Sequence, residues 1–240
     1  VLNILFLPIS ITVRHPRRFG DESERFLSDV LLPNLVWHAG RTAAAVRTSA
    51  LSCLLALLHG GAITAGQVGE KLSPLVLSAL EEDSQTSRLL ACRSLSATLQ
   101  LIGTSLHHEA LNRIYPELLK RLDDSSEEVR SVALQAVGLW LSSLTSDYNP
   151  ELFAPHLQLL FQQLLLHLDD PDSAVQDQVL EVLKKGSSVH PSLLQREAEA
   201  VRDKQRSPLR CDLLLQHISS PSTETDASNT QNTSRLKVVP

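Results

Sequence analysis

The stretch from Leu111 to Leu144 reads LNRIYPELLKRLDDSSEEVRSVALQAVGLWLSSL. Leu111, Ile114, Tyr115, Leu118, Leu119 and Leu122 fall at i, i+3, i+4, i+7, i+8 and i+11, the spacing that lines one stripe of an α-helix with apolar side chains. After the polar stretch DDSSEE the pattern resumes with Val129, Val132, Ala133, Ala136, Val137, Trp140, Leu141 and Leu144. Neither run alternates with the period of two that a half-buried strand shows. Two broadly striped helices around a short polar turn predict a helical hairpin. Neither stripe is covered by its partner alone, so such a unit needs neighbours of its own kind.

Those neighbours are present. Pro33 (LLPNLVWHAG), Pro74 (LSPLVLSALEED), Pro116 (IYPELLKRLDD) and Pro155 (FAPHLQLLFQQLLLHLDD) each sit in an apolar run. Their steps along the chain are 41 (33 to 74), 42 (74 to 116) and 39 (116 to 155). Second runs open at Val46, Ser87, Val129 and Val175. The step from the Pro to that opening is 13 in the first three units (33 to 46, 74 to 87, 116 to 129) and 20 in the fourth (155 to 175). The difference predicts a fourth first helix longer by about two turns. Self-similarity at a fixed period is the mark of a solenoid.

Turn chemistry agrees with this division. Asp124-Ser125-Ser126-Glu127 reads as a capping box for the third second helix, and Asp170-Pro171 as a cap followed by Pro at the first helical position. Gly60-Gly61 and Gly186 read as the ends of second helices.

A period near 41, paired helices, Pro in the first helix, Asp in the turn and Val-Arg opening the second helix together resemble the HEAT repeat family. The matching residues are Pro116, Asp124, Val129 and Arg130 in unit three, with Pro155, Asp170 and Val175 in unit four. Gln176 stands where Arg is expected, unit one has Gly40 where the turn Asp would be, and unit two has Asp83 and Arg88 but Ser87 in place of Val. The expected architecture is an all-α solenoid of about four hairpins over 21–190, with repeats at about 21–60, 66–103, 108–146 and 150–187. A more polar pair of capping helices over 191–218 and a Ser/Thr/Asn-rich disordered tail over 219–240 follow. Residues 1–20 form an irregular or truncated segment. Val1–Val13 is apolar but shorter than a bilayer span of about 20 residues; a truncated repeat helix and a mis-assigned start fit it equally. The absence of Met predicts a piece of a longer protein.

Composition excludes several function classes. A formal net charge of −5 without a basic stripe does not favour nucleic acid. Cys53, Cys92 and Cys211 are odd in number and far apart, which points to a reducing compartment and, for the first two, to core positions. The motifs HExxH, GxSxG, GxxxxGK[ST] and GxGxxG do not occur. The acid pairs Asp123-Asp124 and Asp169-Asp170 read as helix caps, His107-His108 as a solvated loop, and Arg202, Lys204, Arg206 and Arg210 as a solvated helix face. No catalytic, cofactor or metal site is expected, and neither is a membrane partner.

The stretches PELLKRLDDSSEEVR and LLLHLDDPDSAVQDQVLEVLKKGSSVHPSLLQREAEAV resemble the HEAT-repeat assembly factors of axonemal dynein arms, most strongly over about 110–218. That resemblance implies a cytoplasmic protein-binding scaffold in ciliated cells, acting on axonemal dynein chains together with other assembly factors and chaperones. A HEAT adaptor of transport or regulatory type is the alternative. In either case the second helices are expected to line a binding surface. Arg47, Arg88, Arg130, Glu128 and Gln135 are candidates for exposure there. The competing expectation is that Arg47, Arg88 and Arg130 form an internal ladder with turn acids such as Asp83 and Asp124, with Asp170 in the same place in unit four.

Overall fold

The computed structural model describes residues 20–62, 72 and 74–220. Among them every regular element is helical. The expectations for residues 1–19 and for the tail beyond residue 220 lie outside the described residues.

Unit one begins with α1 (Gly20–Arg25), a π-helical stretch over Phe26–Leu31 and α2 (Leu32–Leu35), then turns into α3 (Arg41–His59). α4 (residues 74–79) and α5 (Gln85–Ile102) make unit two. Unit three comprises α6 (His108–Asn112), α7 (Tyr115–Leu119) and α8 (Glu127–Ser142). Unit four comprises α9 (Ala154–Leu166) and α10 (Ser173–Ser187). α11 (Pro191–Arg202) and α12 (Leu209–Ser219) follow.

The units stack in two layers. α3, α5, α8, α10 and α12 lie side by side as the second-helix layer, while α7, α9 and α11 continue the first-helix layer. The pair α11–α12 therefore extends both layers as a fifth, shorter hairpin. Its outer surface is not uniformly polar, as a cap was expected to be: Leu209 and Leu213 on α12 are exposed.

Several local expectations change. The first helix of unit three is broken as well as short, because Pro116 has no N–H to donate to the carbonyl of Asn112, and the chain restarts at α7 with Pro116 in its first turn. In unit four Pro155 sits in the first turn, where its missing N–H costs nothing, so α9 runs uninterrupted. α8 is capped by Ser126, whose hydroxyl accepts from Val129 N, and not by Asp124. α10 is capped by Asp172, which leaves Pro171 in the turn. Gly61 ends α3 at φ +64°, with Ala62 N donating to Leu57 O across it. Gly186 does not end a helix. It lies within α10, where a Cβ would come 2.7 Å from Cε1 of Phe161.

The core is one continuous seam between the layers. Trp140, Tyr115 and Phe161 are its largest fully buried side chains. Trp140 Nε1 donates to Leu111 O at 2.7 Å, so its polar atom is satisfied. By length and composition α3 is apolar enough to cross a membrane. In this fold Leu51, Leu54, Leu57 and Leu58 are buried, and α3 lies against α5.

Candidate protein-binding surface

The residue after the opening Val or Ser of each second run performs one repeated task. Arg88 Nη1 donates to Glu82 O, Arg130 Nη1 to Asp124 O and Gln176 Nε2 to Asp170 O, each reaching back into its own turn. Arg47 Nη1 reaches His38 O in the same way. Two of the arginines use their remaining N–H groups to bind the next unit. Arg47 pairs bidentately with Glu82, and Arg88 with Asp124 through Nε (2.6 Å) and Nη2 (2.9 Å). Planar guanidinium and carboxylate match in this geometry. Arg88 holds the Asp124 carboxyl below the usual carboxylate range, and Glu82 raises the already high value of Arg47.

The ladder stops there. Among the described residues Arg130 has no ion pair with Asp170, and its buried Nε has no hydrogen-bond partner. Asp170 instead accepts from Asp172 N and so shapes its own turn. Burial lowers the pKa of His167, between these units, against the opposing influence of Asp123 and Asp170. Among the described residues Asp83 offers only its backbone carbonyl, to Arg88. The acid that sequence reasoning missed is Glu82. It precedes Ser87 by the same step that separates Asp124 from Val129, and counting that register finds it.

With the arginines taken up internally, the surface of the second-helix layer is made by other residues. Arg93 and Glu128 pair at 2.6 Å between α5 and α8, both half-exposed. Gln100 and Gln135 are exposed and have no partner among the described residues. Between α8 and α10 the surface opens into a groove of about 580 Å³ floored by Leu134, Gly138, Leu139 and Val182. Gly138 is buried, and a Cβ there would meet Lys185 Nζ at 3.6 Å and Val182 Cγ2 at 3.7 Å, ordinary contacts.

One further expectation is corrected, and a second, that of a solvated basic cluster, is refined. His108 is not in a solvated loop; its ring packs edge-on against Tyr148 and Phe153, with Asp147 3.6 Å from Nε2. The C-terminal basic cluster is largely committed within the chain: Arg202 to Asp212, Arg206 to Asp169 and Arg210 to Asp177. Among the described residues no three His, Cys, Asp or Glu side chains converge as a metal-binding group. The three cysteines are free and buried, and burial pushes the Cys92 thiol up to about 12 and that of Cys211 to about 11.

A family model described as stalled ribosome sensor GCN1-like, HEAT repeats, matches residues 29–226. The chain belongs to this HEAT-repeat family. Among curated proteins the HEAT chain is similar to dynein axonemal assembly factor 5 of Mus musculus, 46% identical over 92% of the chain and 26% of that protein. The factor of the same name from Xenopus laevis is 45% identical over 94% of the chain and 27% of that protein. The chain thus spans about a quarter of the length of the curated relatives it matches. Among solved structures, a computationally designed armadillo repeat protein for modular peptide recognition superimposes with a TM-score of 0.52 at 16% identity, covering 78% of this chain and 79% of that one. The likeness is one of fold.

Proposed function

We propose that this chain is a non-catalytic, protein-binding segment of a cytoplasmic assembly factor for axonemal dynein arms in ciliated cells. The observation that carries the proposal is its 45–46% identity, over more than nine-tenths of its length, to proteins named for that role. Repeat geometry suits the task. Stacked hairpins present a long surface of unpaired amides and mixed charges, which can hold an extended client without closing around it. Its partners are axonemal dynein chains, other dynein assembly factors and chaperones.

The description of the matching family model supports a second reading, a HEAT adaptor of regulatory type. Affinity capture from ciliating cells separates the two. The assembly reading expects dynein heavy and intermediate chains with chaperones among the captured proteins. Recovery of ribosomal or transport proteins with no dynein subunit would favour the second reading and overturn the first.

A further inference from the structure

The joint between units three and four differs from the joints before it. Arg47–Glu82 and Arg88–Asp124 lock the first two, but the equivalent bond from Arg130 to Asp170 is absent among the described residues. The second runs also open further apart across this joint: the step from Val129 to Val175 exceeds those from Val46 to Ser87 and from Ser87 to Val129 by about one helical turn. The groove floored by Gly138 lies at this joint.

The chemistry of its lining is selective. Of the two acids on its rim, Asp177 is paired with Arg210 at 2.8 Å and Glu181 with Lys184 at 2.7 Å. Lys185, whose ammonium lies beside Gly138, has no carboxylate partner among the described residues. Both acids are thus engaged by cations outside the lining, and Lys185 is the one cation of the lining, set beside an apolar floor. Gln100 and Gln135 flank it with free amides, each able to donate to a carbonyl and accept from an N–H. Lining residues come from three successive helices of the second layer, α5, α8 and α10, so the groove crosses the stack.

We infer that this groove binds an extended peptide segment in which an acidic side chain lies one or two residues from an aliphatic one. The carboxylate meets Lys185, the aliphatic side chain packs on the apolar floor of Leu134, Leu139 and Val182, and Gln100 and Gln135 hold the peptide backbone. This rests on the scaffold reading above and specifies the client segment.

A random heptapeptide library displayed on phage, selected on the full chain, tests it. Peptides with Asp or Glu near Leu, Ile or Val should be enriched. A fluorescein-labelled winner should lose at least tenfold in affinity with Lys185→Glu and regain it when its acid is changed to Lys. Gly138→Leu, which crowds Val182 and Lys185 at the floor, should lower the thermal midpoint and abolish binding at a temperature where circular dichroism shows the variant still folded. Gly138→Ala should raise the thermal midpoint yet weaken binding, a combination that a purely structural role does not produce. Lys204→Glu, outside the groove, should leave binding unchanged. No binder, enrichment without acids, or binding indifferent to both Lys185→Glu and Gly138→Leu would overturn the inference. If dynein chains are still captured from cells in that event, the assembly role stands and only this groove is removed; if acidic peptides bind but no dynein subunit is captured, the groove stands and the assembly role falls.

Discussion

Arg88 of unit two grips Asp124 of unit three through two parallel N–H···O bonds, with the carboxylate almost wholly buried and the guanidinium nearly so. The same acid accepts from Ser126 N, and its backbone carbonyl accepts from Arg130. One aspartate thus fixes its own turn and joins two repeats. Breaking a buried pair leaves a charge without its partner and costs about 3–5 kcal/mol. Arg88→Ala and Asp124→Ala should each destabilise the chain by about that amount, and the double variant by much less than the sum. Urea unfolding of the four members of the cycle measures this. Additive losses would mean that the pair does not join the units.

The same pair predicts an acid limit. Asp124 has a folded pKa below its unfolded value of about 3.9, so the unfolded chain binds its proton more readily. Its contribution is therefore complete at neutral pH and shrinks as the pH falls below about 4 toward the folded value. Melting curves from pH 6 down to pH 3 should show the drop in midpoint, and Asp124→Asn should flatten it.

Two glycines within second helices should respond in opposite directions to the same substitution. Gly138→Ala adds a methyl at ordinary contact distance and removes the entropic cost of helical glycine, so it should stabilise by about 0.5–1 kcal/mol. Gly186→Ala drives a Cβ against the fully buried Phe161 ring and should destabilise by about 1–3 kcal/mol. Denaturant midpoints of the two variants check both signs.

The contrast also marks what the sequence makes legible. Helical spacing between Leu111 and Leu144 and the regular return of Pro33, Pro74, Pro116 and Pro155 specify the first four hairpins and their order, because burying one stripe per helix is a demand that each segment expresses locally. In that reading Gly186 is a helix end and Gly138 carries no signal of its own. Only the position of Phe161, on the preceding helix α9, separates a contact glycine from an open one. Asp124 and Asp170 look like caps because acids in such turns commonly are, yet each accepts from the N–H two residues on and the cap passes to Ser126 or Asp172. His108 looks solvated because its partners Tyr148 and Phe153 come from the loop that opens the next unit. Glu82 was within reach by counting register. The groove was not, since it depends on how side chains of α5, α8 and α10 come together.

Cysteine chemistry reports on the integrity of the stack. Cys53, Cys92 and Cys211 are buried with raised thiol pKa values, so the thiolate needed for alkylation is scarce at neutral pH. Native chain should resist iodoacetamide, and denatured chain should label at all three positions. Protection factors followed by mass spectrometry should fall for Cys92, beside the Arg88–Asp124 joint, in the Arg88→Ala variant.

The central claim is that this HEAT segment serves dynein arm assembly, and the most direct measurement is electron tomography of axonemes from ciliated cells depleted of the protein that contains it. The account predicts loss of outer and inner dynein arms, with restoration by the wild-type protein and not by one lacking residues 20–220. Intact arms after depletion, or full restoration by the protein without this segment, would contradict it.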